Sequence, residues 1–181
     1  IHGSGSSWGL ACNAIHHLDL VAWWTGEKLQ RIDVSELDSK WIPSKRSGFY
    51  EITGRIIAFY SEGSNLSLTS RFGNSPLKIK VKGKKFHCEI DESKGVAKID
   101  DDLILSGKNE MQSSMTSRLV DNLLLEGNCS LPDISVSVDM HKIFIRSFFP
   151  ANRNIMNSSI DIDFFILRFA WAFLSLFAFL L

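Results

Sequence analysis

The sequence predicts an α+β domain: an open, mainly antiparallel sheet of about six strands with helices packed on one face, followed by an apolar C-terminal helix. Three observations carry this expectation. Apolar side chains recur at three- and four-residue steps through residues 10–26. Short segments between 28 and 99 alternate in polarity or are rich in β-branched residues, with turn residues between them. Two further helical stripes follow within 111–124 and 134–148. With 181 residues, 45% of them hydrophobic and 22% charged, the chain can bury one respectable core.

The elements are justified in order. Gly3-Ser4-Gly5-Ser6-Ser7-Trp8-Gly9 superficially suggests a dinucleotide loop, but no strand precedes it and no βαβ unit surrounds it. Residues 1–9 therefore read as an interdomain linker. Leu10, Ala14, Leu18 and Val21, with Ala11, Ile15 and Ala22, define a helix with a broad buried face, and Gly26 supplies its stop signal. Strands are expected over 28–34, 50–60, 65–72, 77–81, 85–90 and 96–99, as an antiparallel meander. Leu66 and Leu68 alternate with Ser67 and Thr69, and Ile79 and Val81 with Lys78, Lys80 and Lys82, so one sheet face is dry and the other at least partly polar. Met111, Met115, Leu119 and Leu123, with Val120 and Leu124, predict a covering helix that ends near Gly127. Ile134, Val138, His141 and Ile145, with Phe144 and Phe148, predict another before Pro150, with Asp133 after Pro132 as its cap.

Residues 10–149 thus form the expected α+β domain. Residues 150–181 form an atypical tail. Its last part, 164–181, is apolar apart from Arg168 and Ser175 and would span about 27 Å as a helix. A membrane anchor, a buried terminal helix or a tail altered by a reading-frame error fits that run.

Bulk properties narrow the function classes. Twenty basic and twenty acidic residues cancel, so no net charge steers the protein toward nucleic acid. Cys12, Cys88 and Cys129 are odd in number, widely spaced and without a preceding signal peptide, which points to a reducing cytoplasm rather than a secreted disulfide framework. Starting at Ile1 and entering the helical motif almost at once, the sequence reads as a fragment.

Chemistry concentrates on the first helix. Cys12, Asn13, His16 and Asp19 lie three or four residues apart and share one sector of its surface. A histidine near neutral pKa can give or take a proton during oxidation of an alcohol, and a neighbouring amide can hold the substrate hydroxyl. His16 and Asn13 are accordingly candidates for such chemistry, the other reading being hydrogen-bonded helix residues with no reaction to perform, and Cys12, a small helix residue on the same side, is a candidate substrate contact. His17 reads as structural, and Asp19 as a partner satisfying His16 or a backbone group. Cys12 and His16, with His87, Cys88 and Cys129 as distant ligands, lack the paired short spacings of a zinc site, so no metal is expected. Lys40, Lys45 and Arg46 flank Trp41-Ile42-Pro43. Lys45 and Arg46 are candidate contacts to an anionic substrate, and Trp41 alternatively folds onto the core.

The stretch from Cys12 to Gly26 resembles the opening of the C-terminal domain in the glucose-fructose oxidoreductase and inositol dehydrogenase family, which carries Asp-x-x-x-His followed by an aspartate, apolar residues, an aromatic and a glycine. His16 falls on the family's catalytic histidine, and Asp19 to Gly26 follow the rest. Cys12 takes the place of the usual aspartate, and Asn13-x-x-His16 is similar to branches acting on sugar nucleotides. The resemblance implies hydride transfer to or from a sugar-like alcohol, with NAD or NADP bound mainly by the missing N-terminal domain and none of the cofactor-binding residues here. It also implies a catalytic lysine from that domain and a homo-oligomer through the other sheet face. The alternative is a non-enzymatic sheet-mediated dimerisation or binding module, and a third reading is a scaffold tethered to a membrane through 164–181.

Overall fold

The structure is a computed structural model that describes residues 1–44, 47–84, 86–91, 93–100, 102–107, 112–128 and 134–148. The chain divides into two units, Ile1–Ser147 and Phe148–Leu181, and the apolar run expected over 164–181 lies outside the described residues. Among the described residues no helix is long and apolar enough to cross a membrane.

In chain order the elements are β1 (His2–Ser6), α1 (Leu10–Thr25), β2 (Leu29–Leu37), β3 (Ile42–Pro43), β4 (Tyr50–Glu51), β5 (Gly54–Tyr60), β6 (Asn65–Arg71), β7 (Lys78–Lys82), β8 (His87–Asp91), β9 (Val96–Ile99), β10 (Asp102–Ser106), α2 (Gln112–Glu126) and α3 (Ile134–Phe148). Eight strands form one sheet in the order β10-β9-β8-β7-β1-β6-β5-β2, while β3 and β4 pair separately. The α+β, mainly antiparallel expectation stands, with more strands than the six anticipated.

The main departure is β1. The glycine-serine stretch expected as linking chain is a central strand, parallel to β6 (Gly3 opposite Leu68) and antiparallel to β7 (Gly3 opposite Ile79). It joins two antiparallel ladders, so the sheet is not a simple meander. Its Gly-Ser alternation is a strand's two-residue period. Gly3 and Gly5 fall on the face that packs against α1, where a Cβ on Gly3 would stand 2.7 Å from Leu68 Cδ2 and one on Gly5 would stand 2.8 Å from Leu77 Cα. Ser4 and Ser6 fall on the opposite face.

Register defines both faces. Ile56, Leu68, Gly3, Ile79, Ile90 and Ala97 oppose one another across five ladders, and Leu10, Ala14, Leu18 and Val21 of α1 are buried above this dry face. Burying a leucine or valine contributes about 1.5–3 kcal/mol, which anchors α1. Tyr60, buried at the end of β5, donates its hydroxyl to the Leu18 carbonyl at 2.9 Å. Burial pushes its phenol well above the usual range, and the nearby Asp19 and Glu27 charges add to the rise. Ile57, Ser67, His2, Lys80, Glu89 and Lys98 form the matching row on the other face.

Two smaller corrections concern the flanking elements. The single strand expected over 50–60 is broken between β4 and β5, where Gly54 (φ 116°) lies against the Glu36 carbonyl and leaves no space for a side chain. The later helices form as expected but bury only part of their expected stripes. On α2, Leu119 is half-buried whereas Val120, Leu123 and Leu124 are exposed. On α3, Phe148 is buried and His141, Phe144 and Ile145 are half-buried, as is expected of the stripe, while Ile134 and Val138 are exposed and Met140, outside the stripe, is buried. Periodicity reports that a helix is amphipathic; it does not say what the apolar side faces. The predicted cap, Asp133 after Pro132, and Met111 lie outside the described residues.

Candidate functional site

The candidate site is built on α1. Gly9, in the left-handed region (φ 85°), turns the chain from β1 into the helix, and Gly26 (φ 71°) ends it, donating its N–H to Ala22 O at 2.8 Å. With the side of α1 that carries Leu10, Ala14, Leu18 and Val21 pinned to the sheet, geometry turns Cys12, Asn13 and His16 outward, and all three are exposed. The structure therefore brings the three helix candidates to one solvent-facing stripe. Trp23, 60% exposed, continues that stripe two turns beyond His16.

Each polar residue has a distinct setting. Asn13 donates its side-chain amide to the Trp8 carbonyl at 2.6 Å, which fixes the amide while its oxygen remains an acceptor. Trp8 is itself tied to the sheet through Nε1 to Thr69 O at 2.9 Å. His17 packs edge-on against Trp8, with ring centroids 5.5 Å apart, a structural setting. No side-chain hydrogen bond to His16 is formed among the described residues, and the charge of Asp19, expected to satisfy His16 or a backbone group, contributes to raising the Tyr60 phenol. Lys45 and Arg46 lie outside the described residues; Trp41 between β2 and β4 is half-buried and Lys40 exposed.

Sequence reasoning missed Glu51. The helix start has no side-chain cap and no acid in its first turn, but Glu51 on β4 accepts the Ala11 N–H at 2.9 Å. A helix start without its own cap was the available signal, because the orphan N–H groups of a first turn need acceptors from somewhere.

The opposite sheet face holds a broad groove of about 1240 Å³, lined among others by His2, Lys80, Lys82, Glu89 and Lys98. Glu89 is paired with Lys80 (3.2 Å) and Lys78 (3.4 Å), and the hydrogen bond from Lys80 leads the causes that hold its carboxyl below the usual range. Burial, then the Arg55 and Lys80 charges, push the His2 imidazole down. This face is separate from the α1 stripe.

Neither a metal centre nor a dinucleotide cradle is built from the described residues. They contain no cluster of three or more His, Cys, Asp or Glu placed to hold an ion. Around the glycine-rich stretch, Ser6 N–H is spent on Ser75 O (2.8 Å) and Ser7 N–H on Arg71 O (2.9 Å), so these donors are not aimed at a phosphate. Cys12 and Cys88 are thiols, Cys88 half-buried on its strand.

No family model matches the chain, and no curated protein matches it. Among solved structures it is similar to a protein described as an oxidoreductase from Thermotoga maritima, with a TM-score of 0.53 at 12% identity over 84% of this chain and 52% of that one. It is also similar to a protein described as an NADPH-dependent oxidoreductase from Desulfitobacterium hafniense DCB-2, with a TM-score of 0.56 at 11% identity over 84% of this chain and 54% of that one. At these identities the likeness shows a shared fold. The chain spans about half the length of each of these structures.

Proposed function

We propose that the chain is the substrate-binding half of an NAD(P)-dependent oxidoreductase of the glucose-fructose oxidoreductase and inositol dehydrogenase type, acting on a CH–OH group of a sugar-like alcohol, nucleotide-linked sugars included. The observation that carries this reading is the exposed Asn13–His16 pair on a helix whose other side is locked to the sheet. The shared fold with two structures described as oxidoreductases supports it. A nicotinamide, held outside these residues, supplies the hydride acceptor or donor. This chain's part is to bind and orient the alcohol. His16 takes or returns the proton at the carbinol oxygen, and Asn13, its amide fixed by Trp8, uses its oxygen to accept from a substrate hydroxyl. Cys12 adjoins the bound substrate, and Lys45 and Arg46 are proposed as further contacts to an anionic part of it. A cytoplasmic setting, with its thiols kept reduced, belongs to the same reading.

The test is turnover by the full-length protein on an identified alcohol. His16→Ala should lower kcat about 10²–10⁴-fold, and Asn13→Ala should lower it less. Normal kcat in both variants removes the catalytic assignment. A second reading, a non-enzymatic assembly module, is favoured by the groove and charged row on the sheet face away from α1. It predicts self-association without nicotinamide-dependent activity.

A further inference from the structure

The groove of about 1240 Å³ on the sheet face away from α1 has room for a small molecule. Register decides which side chains enter it. Lys80 and Lys82 fall on the same side of β7, His87 stands opposite Lys82, and Glu89 on β8 stands between Lys80 on β7 and Lys98 on β9. Lys84 joins them from the β7–β8 turn, which is closed by Gly83 N–H to Phe86 O at 2.9 Å. Glu27 and Glu62, beside the β5–β6 turn, line the far end.

The carboxylates among these lysines are engaged within the protein. Glu89 takes Lys80 at 3.2 Å and Lys78 at 3.4 Å, both from the β7 side, and Asp100 accepts the His87 backbone N–H at 2.8 Å. Among the described residues Lys82, Lys84 and Lys98 form no ion pair. The β7–β9 end of the groove therefore gathers four lysines against two carboxylates, and three of the four ammonium groups have no fixed counter-charge. Like charges held together in this way repel one another, and a bound anion relieves the repulsion. Two strands across and two residues along, the Lys82 and Lys98 backbones lie roughly 12 Å apart. Two four-carbon stems can close that span onto one ligand.

We propose that the β7–β9 end of this groove binds a small phosphorylated molecule through Lys82, Lys84 and Lys98. Ammonium groups act on phosphate as point charges, without the planar fork that arginine uses, and two linked phosphates offer enough charge to meet all three. The far end limits the ligand's length. A nucleic-acid backbone running along the groove would pass Glu27 and Glu62, whereas a small ligand stays at the basic end. The site lies apart from Asn13 and His16, so it stands or falls independently of the oxidoreductase reading.

The probe is pyrophosphate, titrated without divalent cations into the 181-residue chain at neutral pH while backbone amide shifts are followed by NMR. Saturable shifts are expected at Lys82, Gly83 and Lys98. Lys82→Gln/Lys98→Gln should weaken binding about tenfold or more, whereas Lys94→Gln, at an exposed lysine outside the groove, should leave it unchanged. No saturable response in the wild type overturns the proposal, as does an equal loss in Lys94→Gln. An oligonucleotide that binds more tightly per phosphate than pyrophosphate makes the groove a nucleic-acid contact and overturns it too. Affinity that rises with protein concentration would place the anion between two copies and overturn the single-chain site. Exchange protection of the Leu68 amide, at the buried centre of the sheet, checks folding. If the double variant fails that check, the two single variants decide, and no loss in either overturns the proposal.

Discussion

At the turn between β5 and β6, Glu27 accepts from the backbone N–H of Glu62 (2.9 Å), from that of Ser64 (3.2 Å) and from the Ser64 hydroxyl. The Ser64 hydroxyl above all, against the opposing push of burial and with help from the backbone donors, holds this carboxyl below the usual glutamate range. A carboxyl whose folded value is depressed contributes stability that is present above its unfolded value and is lost as pH falls through the folded one. Urea unfolding from neutral to acid pH should therefore show wild type losing stability more steeply than Glu27→Gln once the ordinary glutamate range is passed. Parallel curves would remove the assignment. Asp91, lowered mainly by the Ser93 hydroxyl, is present in both proteins and does not affect the comparison. Gly9→Ala is a second residue-scale test. The left-handed backbone and the 2.8 Å approach of Asn13 Nδ2 should together cost about 1–3 kcal/mol and release the amide from Trp8. A variant as stable as wild type would show that the helix start can relax. The outward stripe of Cys12, Asn13 and His16 was legible because helical spacing alone sets it. Glu51 was not, because its acceptor role depends on a hairpin that returns to the helix start from 40 positions further along the chain.

Among the elements, β1 separates what pattern can and cannot convey. Strand signals rest on alternating apolar and β-branched side chains, whereas the inward positions of β1 are Gly3 and Gly5, chosen for closeness. Its role is visible only once Leu68 and Leu77 are in place. The two glycines should not be equivalent. A methyl at residue 5 meets backbone, at 2.8 Å from Leu77 Cα and 3.0 Å from Leu77 N, whereas one at residue 3 meets the mobile end of Leu68 at 2.7 Å. Gly5→Ala should therefore destabilise by about 1–3 kcal/mol in urea unfolding and Gly3→Ala by less. Ser4→Ala should stay within about 0.5 kcal/mol. A larger loss at residue 3 than at residue 5 would mean that the strand shifts rather than the side chain. By contrast β6 and β7 were legible as strands with Leu66, Leu68 and Ile79 buried on one face, although in β6 the polar Ser67, Thr69 and Ser70 are buried as well, which alternation did not foretell.

For the whole molecule, the question is what meets the sheet face away from α1. Its central row runs Ile57, Ser67, His2, Lys80, Glu89 and Lys98, an apolar position leading into bases and an acid. A two-fold axis lying in the plane of the contact and perpendicular to the row brings the row against its own reverse, so a surface carrying both signs can be self-complementary. On this basis the face is the proposed homo-oligomer contact, and a stable pair would need to bury about 1,200–2,000 Å² in total. Sedimentation at micromolar concentration should give a dimer for the wild-type chain and a monomer for Ile57→Glu, which places a carboxylate at a half-buried position of the row. The thermal midpoint of the monomeric variant should then depend less on protein concentration than that of the wild type, because association no longer contributes to stability. A wild-type chain that sediments as a monomer would remove the sheet-face contact. A dimer that survives Ile57→Glu would move the search to the exposed apolar residues Leu123 and Leu124 of α2, where a glutamate at residue 123 should then dissociate it.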